Sequence, residues 1–151
     1  MKNLILFIAL FCTVSLSAQS FSKWDYAGKW RTYDDKTGKA NGKVEIYFSK
    51  GIIKVKVLEG PYVYNEDGSL RKDVKNPDPK KRNRYIKGMN FLYGFQWDDE
   101  NKRFIKGKVY DSRSGNTYSA KLELVEKDKL KLTGYLGITL FGKTVHWTRL
   151  K

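Results

Sequence analysis

Positive charge concentrates in the run NPDPKKRNR at residues 76–84, where Lys80, Lys81, Arg82 and Arg84 follow Pro77 and Pro79. Guanidinium groups fork onto carboxylates and phosphates, so Arg82 and Arg84 are candidate polar anchors for an anionic headgroup. The same residues allow a structural use, in which Asp73 and Asp78 pair with Arg82 or Arg84 and hold the segment closed on itself. Asp78-Pro79 reads as an N-cap followed by proline at the first helical position, which predicts one short turn over 79–82.

The second constellation is aromatic. In MNFLYGFQW (89–97), Met89, Phe91, Tyr93, Phe95 and Trp97 fall on one parity, with Asn90, Gly94 and Gln96 on the other. On a strand this makes one greasy face, and Phe91, Tyr93 and Phe95 become candidate wall residues for an amphipathic ligand. The alternative is that these rings simply fill an interior.

Catalytic chemistry finds little support. His146 is the only histidine, so there is no histidine pair for zinc, and without a suitable serine–aspartate pair there is no triad. It lies on the parity opposite Val145 and Trp147, which predicts an outward position. The acidic clusters Asp34–Asp35, Glu66–Asp67 and Asp98–Asp99–Glu100 sit where turns are expected, and such carboxylates bond their own backbone. NEDGS (65–69) lacks the alternating ligands and distant glutamate of a calcium loop. Asp111, closing a strand before a glycine turn, reads as an Asx-turn residue rather than a general base. No catalytic residue, metal ligand or cofactor site is assigned.

The elements that would position these residues are strands. Val44, Ile46 and Phe48 alternate with Lys43, Glu45 and Tyr47; Ile53, Val55 and Val57 with Lys54 and Lys56; Leu122 and Leu124 with Lys121 and Glu123; Leu130 and Leu132 with Lys129 and Lys131. Period-two alternation marks antiparallel strands with one wet face. Segments 28–34, 89–97, 104–110 and 143–150 complete about eight. Short polar connectors at 98–102, 112–116 and 126–129 read as hairpin turns, and no helical stripe of useful length follows Ser20. Eight hairpin-linked strands remove their edges by closing into an up-and-down barrel, with a two-sheet sandwich as the alternative. One connector, 65–88 between the third and fourth strands, is far longer than the rest. It holds eight basic residues (Arg71, Lys72, Lys75, Lys80, Lys81, Arg82, Arg84, Lys87) against four acidic ones, and reads as a semi-rigid lid at a barrel mouth. The apolar connector 134–144, with Ile138, Leu140 and Phe141, is expected to cap a barrel end or else touch a membrane.

Lys2, an apolar run from Leu4 to Val14, and small residues at 15, 17 and 18 have the layout of a secretory signal peptide over 1–18. That run is too short to span a bilayer, which takes about 20 residues. The expectation is export to the periplasm or beyond, with a single domain over 19–151. Cys12, the only cysteine, would leave with the leader. The formal charge of +14 on the full chain would suggest nucleic acid in the cytoplasm, but an exported chain meets anionic membrane or acidic polymer instead.

Two resemblances sharpen the fold. GKW (28–30) entering the first strand and HWTRL (146–150) closing the last resemble the lipocalin or calycin barrel. That resemblance implies Arg149 lying over Trp30 at the closed end, where a guanidinium on an indole contributes roughly 0.5–2 kcal/mol. Segments 76–98, 107–124 and 132–149 are similar to an exported bacterial family known as domain of unknown function 2147, although Ser112, Thr133 and Phe104 depart from its usual residues. The expected fold is an all-β, lipocalin-like barrel of about eight antiparallel strands. The expected function is non-enzymatic binding of a small amphipathic or anionic envelope ligand. The alternative is a structural envelope protein with a filled barrel, adhering peripherally to anionic membrane or polymer; nucleic acid is not an expected partner.

Overall fold

The computed structural model describes residues 20–34, 36–135 and 143–151. The expected leader 1–18 and the tip residues Ile138, Leu140 and Phe141 lie outside the described residues.

The strand segments are β1 Gly28–Tyr33, β2 Ala40–Ser49, β3 Ile52–Glu59, β4 Asn90–Tyr93, β5 Gln96–Asp98, β6 Arg103–Asp111, β7 Asn116–Glu126, β8 Lys129–Tyr135 and β9 Lys143–Arg149. All pairings are antiparallel, and β1 pairs with both β2 and β9 while β4 pairs with both β3 and β6, so the sheet closes on itself. β5 continues along β6 where β4 stops, making the two halves of one wall strand. The result is a closed eight-stranded barrel, in which every strand but the short β5 is paired on both sides among the described residues.

Side-chain alternation builds this wall as the sequence predicts. Val44 and Ile46 face Val57 and Val55 across β2 and β3, and Leu122 and Leu124 face Leu132 and Leu130 across β7 and β8. On the wet face, directly opposed residues form ion pairs, Glu45 with Lys56 at 2.8 Å and Glu123 with Lys131 at 3.9 Å. Such opposed charges fix register more than they stabilise, since exposed pairs contribute at most about 1 kcal/mol.

The aromatic stretch departs from simple alternation. The β3–β4 register slips between Val55 and Lys56, so Leu92 rather than Phe91 sits opposite Val55 and is fully buried. A one-residue bulge reverses every later side chain, and Tyr93 consequently lies outside, 45% exposed. The parity is restored at Gly94, whose φ of +72° is one that L side chains rarely adopt. Phe95 and Trp97 then turn back into the core, the Phe95 ring covering Gly107 of β6 so closely that a Cβ there would collide with it.

One half of the interior is solid. Tyr26, Phe95 and Trp97 surround Phe104 with ring centroids 5.0, 6.3 and 4.9 Å away. The buried Tyr26 hydroxyl donates to the Lys102 carbonyl and accepts from the Leu124 N–H, both at 3.0 Å. At this closed end, Arg149 lies over the fully buried Trp30, as the end motifs predict. The glycine of GKW is required there: Gly28 has a φ of +137°, and a Cβ would lie 2.8 Å from Arg149 Nη1.

The opposite end is built differently. The connector between β3 and β4 is fixed to the wall, because its last residues extend the β3 pairing through Val57 N–H to Met89 O (3.0 Å) and Gly88 N–H to Val57 O (2.7 Å). Bridges join Tyr64 to Leu70 and Lys72 to Tyr85. Val63, Ile86 and Met89 form a second buried cluster with Tyr110, packed against Val57 and Phe91. The connector thus completes the wall where β4 is too short to do so.

Candidate functional site

Between the solid half and the connector lies a cavity of about 320 Å³. Phe91 and Trp147, with ring centroids 6.4 Å apart, stand on its inner side. Val44, Val57, Leu132 and Val145 supply apolar walls from four strands, and Val63 and Ile86 of the connector lie over it. A second space of about 320 Å³ adjoins it, sharing Arg113, Leu132, Lys143 and Val145 and extending toward Val109, Tyr118 and Gly134. These volumes sit at the lower end of small-molecule sites, about 300–1,000 Å³. At roughly 30 Å³ per water-sized atom group, one such space takes roughly ten non-hydrogen atoms.

The rim is polar and carries both signs, with Asp34, Glu59, Arg113 and Lys143. The Asp34 carboxylate accepts from the Lys36 and Thr37 backbone N–H groups and the Thr37 hydroxyl, which hold it below the usual carboxylate range. Glu59 pairs with Lys43 at 2.9 Å, and that bond likewise lowers its pKa. Both carboxylates are therefore engaged away from a ligand. Arg113 reaches Asp111 through Nε at 2.8 Å and Nη2 at 3.0 Å. Burial works against the Asp111 charge, but the Arg113 bonds outweigh it and keep the carboxyl low. Asp111 also accepts the Arg113 backbone N–H at 3.0 Å, the Asx-turn geometry expected of it.

Arg82 and Arg84 are not among the residues lining this cavity. Arg84 donates through Nε and Nη2 to Asp73 Oδ2, at 3.0 and 2.8 Å. Asp73 is fully buried and also accepts from the Tyr110 hydroxyl at 2.6 Å and Asn76 Nδ2 at 2.8 Å. Arg82 Nε donates to the Asn76 carbonyl at 2.8 Å. Asp78 caps a short turn over Pro79–Lys81, accepting the Lys80 N–H at 3.0 Å. The NPDPKKRNR run is thus a self-bonded brace for the connector, and the headgroup role expected of its two arginines does not match their positions. Of the three wall candidates, Phe91 lines the cavity, Phe95 is packed into the solid half and Tyr93 faces outward. His146 is exposed on the outer side opposite Lys131.

Arg113 and Lys143 are the functional candidates that sequence reading passed over. Lys143 shares strand parity with Val145 and Trp147, so an inward lysine at a strand end was a readable signal. Arg113 sits in the β6–β7 hairpin turn, where nothing in the sequence says which way it points.

The fold and its polar-rimmed apolar cavity define a lipocalin-like barrel. Among solved structures, the chain is similar to protein HP1028 from the human pathogen Helicobacter pylori, described as belonging to the lipocalin family. The two share 29% identity over 83% of each chain, with a TM-score of 0.67. Residues 28–149 match the family model described as uncharacterized protein conserved in bacteria (DUF2147), and the chain belongs to that family. No curated protein matches it.

Proposed function

We propose that the protein binds one small amphipathic molecule, without catalysis, in the cavity at the open end of the barrel. The observation that carries this reading is the apolar space against Phe91 and Trp147, with the cations Arg113 and Lys143 at its rim. Eight-stranded barrels are just wide enough either to be filled by side chains or to hold one small ligand, and this barrel is filled in one half only. The apolar part of the ligand lies between Val44, Val57 and Leu132, and its polar or anionic head lies at the rim beside Lys143 and Arg113, whose guanidinium it shares with Asp111. The leader-like segment 1–18 supports export, so the ligand is sought among envelope or extracellular amphiphiles. A lipocalin-like neighbour is consistent with such a role.

Octanoate, whose size suits the cavity, tests the reading by titration calorimetry. The parent protein should bind it, and Val145→Trp, which fills the space shared by both cavity lobes, should abolish binding while the melting temperature holds. Equal binding by parent and Val145→Trp would place the ligand elsewhere.

A further inference from the structure

The outer side of the β3–β4 connector carries a second groove, of about 760 Å³. Its apolar lining is open to solvent: Tyr62, Leu70 and Tyr85 are exposed, and Val74 is 64% exposed. Arg71, Lys72, Lys75 and Arg113 stand around these side chains, and no carboxylate residue lines the groove.

Arg113 is paired with Asp111, but the other three charges there are held and not neutralised. Elsewhere on the barrel cations meet carboxylates, as in Lys43 with Glu59, Lys56 with Glu45 and Arg84 with Asp73. Arg71 Nε instead donates to Asn65 Oδ1 at 3.2 Å, Lys72 Nζ to Asn83 Oδ1 at 3.3 Å, and Lys75 Nζ to the Arg113 carbonyl at 2.7 Å. Among the described residues, none of these three side chains makes an ion pair with a carboxylate. Neutral oxygens fix each cation in place and leave its charge available.

We infer that this face docks on an anionic lipid bilayer. Exposed aliphatic and tyrosine side chains interleaved with lysine and arginine suit the headgroup–acyl boundary, where cations meet phosphates and the apolar groups enter just below. An acidic glycan would use the cations and the rings but gain little from Val74, the most exposed of the large apolar side chains among the described residues, which lies between Lys72 and Lys75. The groove is also continuous with the barrel mouth, since Tyr62, Ile86, Ser112 and Arg113 line both it and the cavity. Tyr62 lies beneath two guanidinium groups there, Arg71 at 5.9 Å and Arg113 at 5.2 Å. A docked barrel therefore holds its cavity one layer of side chains from the membrane. Docking stands whether or not the cavity is occupied.

Co-sedimentation with vesicles of phosphatidylcholine alone, or of equimolar phosphatidylcholine and phosphatidylglycerol, tests this at low salt. The parent should bind the mixed vesicles only. Arg71→Gln with Lys72→Gln should weaken that binding at least about tenfold, and Val74→Ser should weaken it on its own. Lys29→Gln with Lys127→Gln, which removes equal charge at the closed end, should leave binding unchanged. All variants should keep the parent melting temperature and octanoate affinity, so a failure of docking is distinct from a failure of the cavity. Equal losses from the two charge pairs would overturn the proposal in favour of diffuse attraction. Binding to soluble alginate with no effect of Val74→Ser would overturn it in favour of an acidic glycan, and no binding of the parent to mixed vesicles would end it.

Discussion

The guanidinium carbon of Arg149 lies 4.2 Å from the centre of the Trp30 ring, and the two residues are register partners across β9 and β1. The same guanidinium donates to the carbonyls of Asp25 (2.6 Å), Ala27 (2.8 Å) and Lys127 (3.1 Å). It therefore ties the chain entering the barrel, the β7–β8 turn and the last strand together over a buried indole.

Arg149→Ala should destabilise the fold by about 3 kcal/mol, because it removes a cation–π contact and strands carbonyls that a charged donor satisfied. Arg149→Lys should recover only a small part, since an ammonium cannot reproduce the planar fork. Urea denaturation measures both, and octanoate affinity should be unchanged in either.

The Asp73–Arg84 pair sits in the connector, with Asp73 fully buried and Arg84 about one-third exposed. Arg84→Gln leaves a buried carboxylate with Tyr110 and Asn76 but no countercharge, at a cost of about 3 kcal/mol. Denaturation should register this loss while ligand affinity is retained, the opposite of what an anchor at the cavity would show.

Alkaline pH should unfold the protein through its buried phenols. Burial pushes the Tyr26 pKa up to about 12. Burial, then the Asp73 carboxylate, raise that of Tyr110 further. Unfolded tyrosine titrates near pH 10, so the unfolded chain releases these protons first. The stabilisation is complete below about pH 10 and is lost as pH rises through the folded values, at about 1.4 kcal/mol per pH unit for each tyrosine. Tyr26→Phe should lose about 1–2 kcal/mol at neutral pH with its two hydrogen bonds. It should also show a shallower alkaline slope by one proton in denaturant titrations.

Most of the wall was legible because its alternation is uninterrupted. Val44, Ile46, Leu122, Leu124, Leu130 and Leu132 all point where period two sends them, and the short turns follow their polar residues. The aromatic strand was misread at Tyr93 and Leu92 because a bulge opposite Val55 and Lys56 adds a residue, and hydrophobicity alone does not reveal it when both neighbours are apolar. Gly94 was the available warning, as glycine inside a strand often marks such a break. The cap at Asp78 could be read locally, since it depends on residues two positions apart. The surroundings of Arg84 could be read only in part: Asp73 was a candidate partner and is the one it meets, but Tyr110, which completes the set, belongs to β6. The cavity rim escaped for the same reason, because Arg113 and Lys143 meet only after the barrel closes.

If Arg113 and Lys143 receive an anionic head, replacing both with glutamine should weaken octanoate binding at least about tenfold, about 1.4 kcal/mol, and leave octanol binding unaffected. Parallel titrations of the two ligands separate charge recognition from burial of the tail. Equal losses for both would assign the effect to cavity shape.

Native mass spectrometry of the protein recovered from its own cells tests the central claim most directly. The parent should carry the mass of one small amphiphile, released on denaturation, and Val145→Trp recovered in the same way should run at the mass of the bare chain. Bare chain for both proteins, with no octanoate binding by the parent, would contradict a ligand-binding barrel.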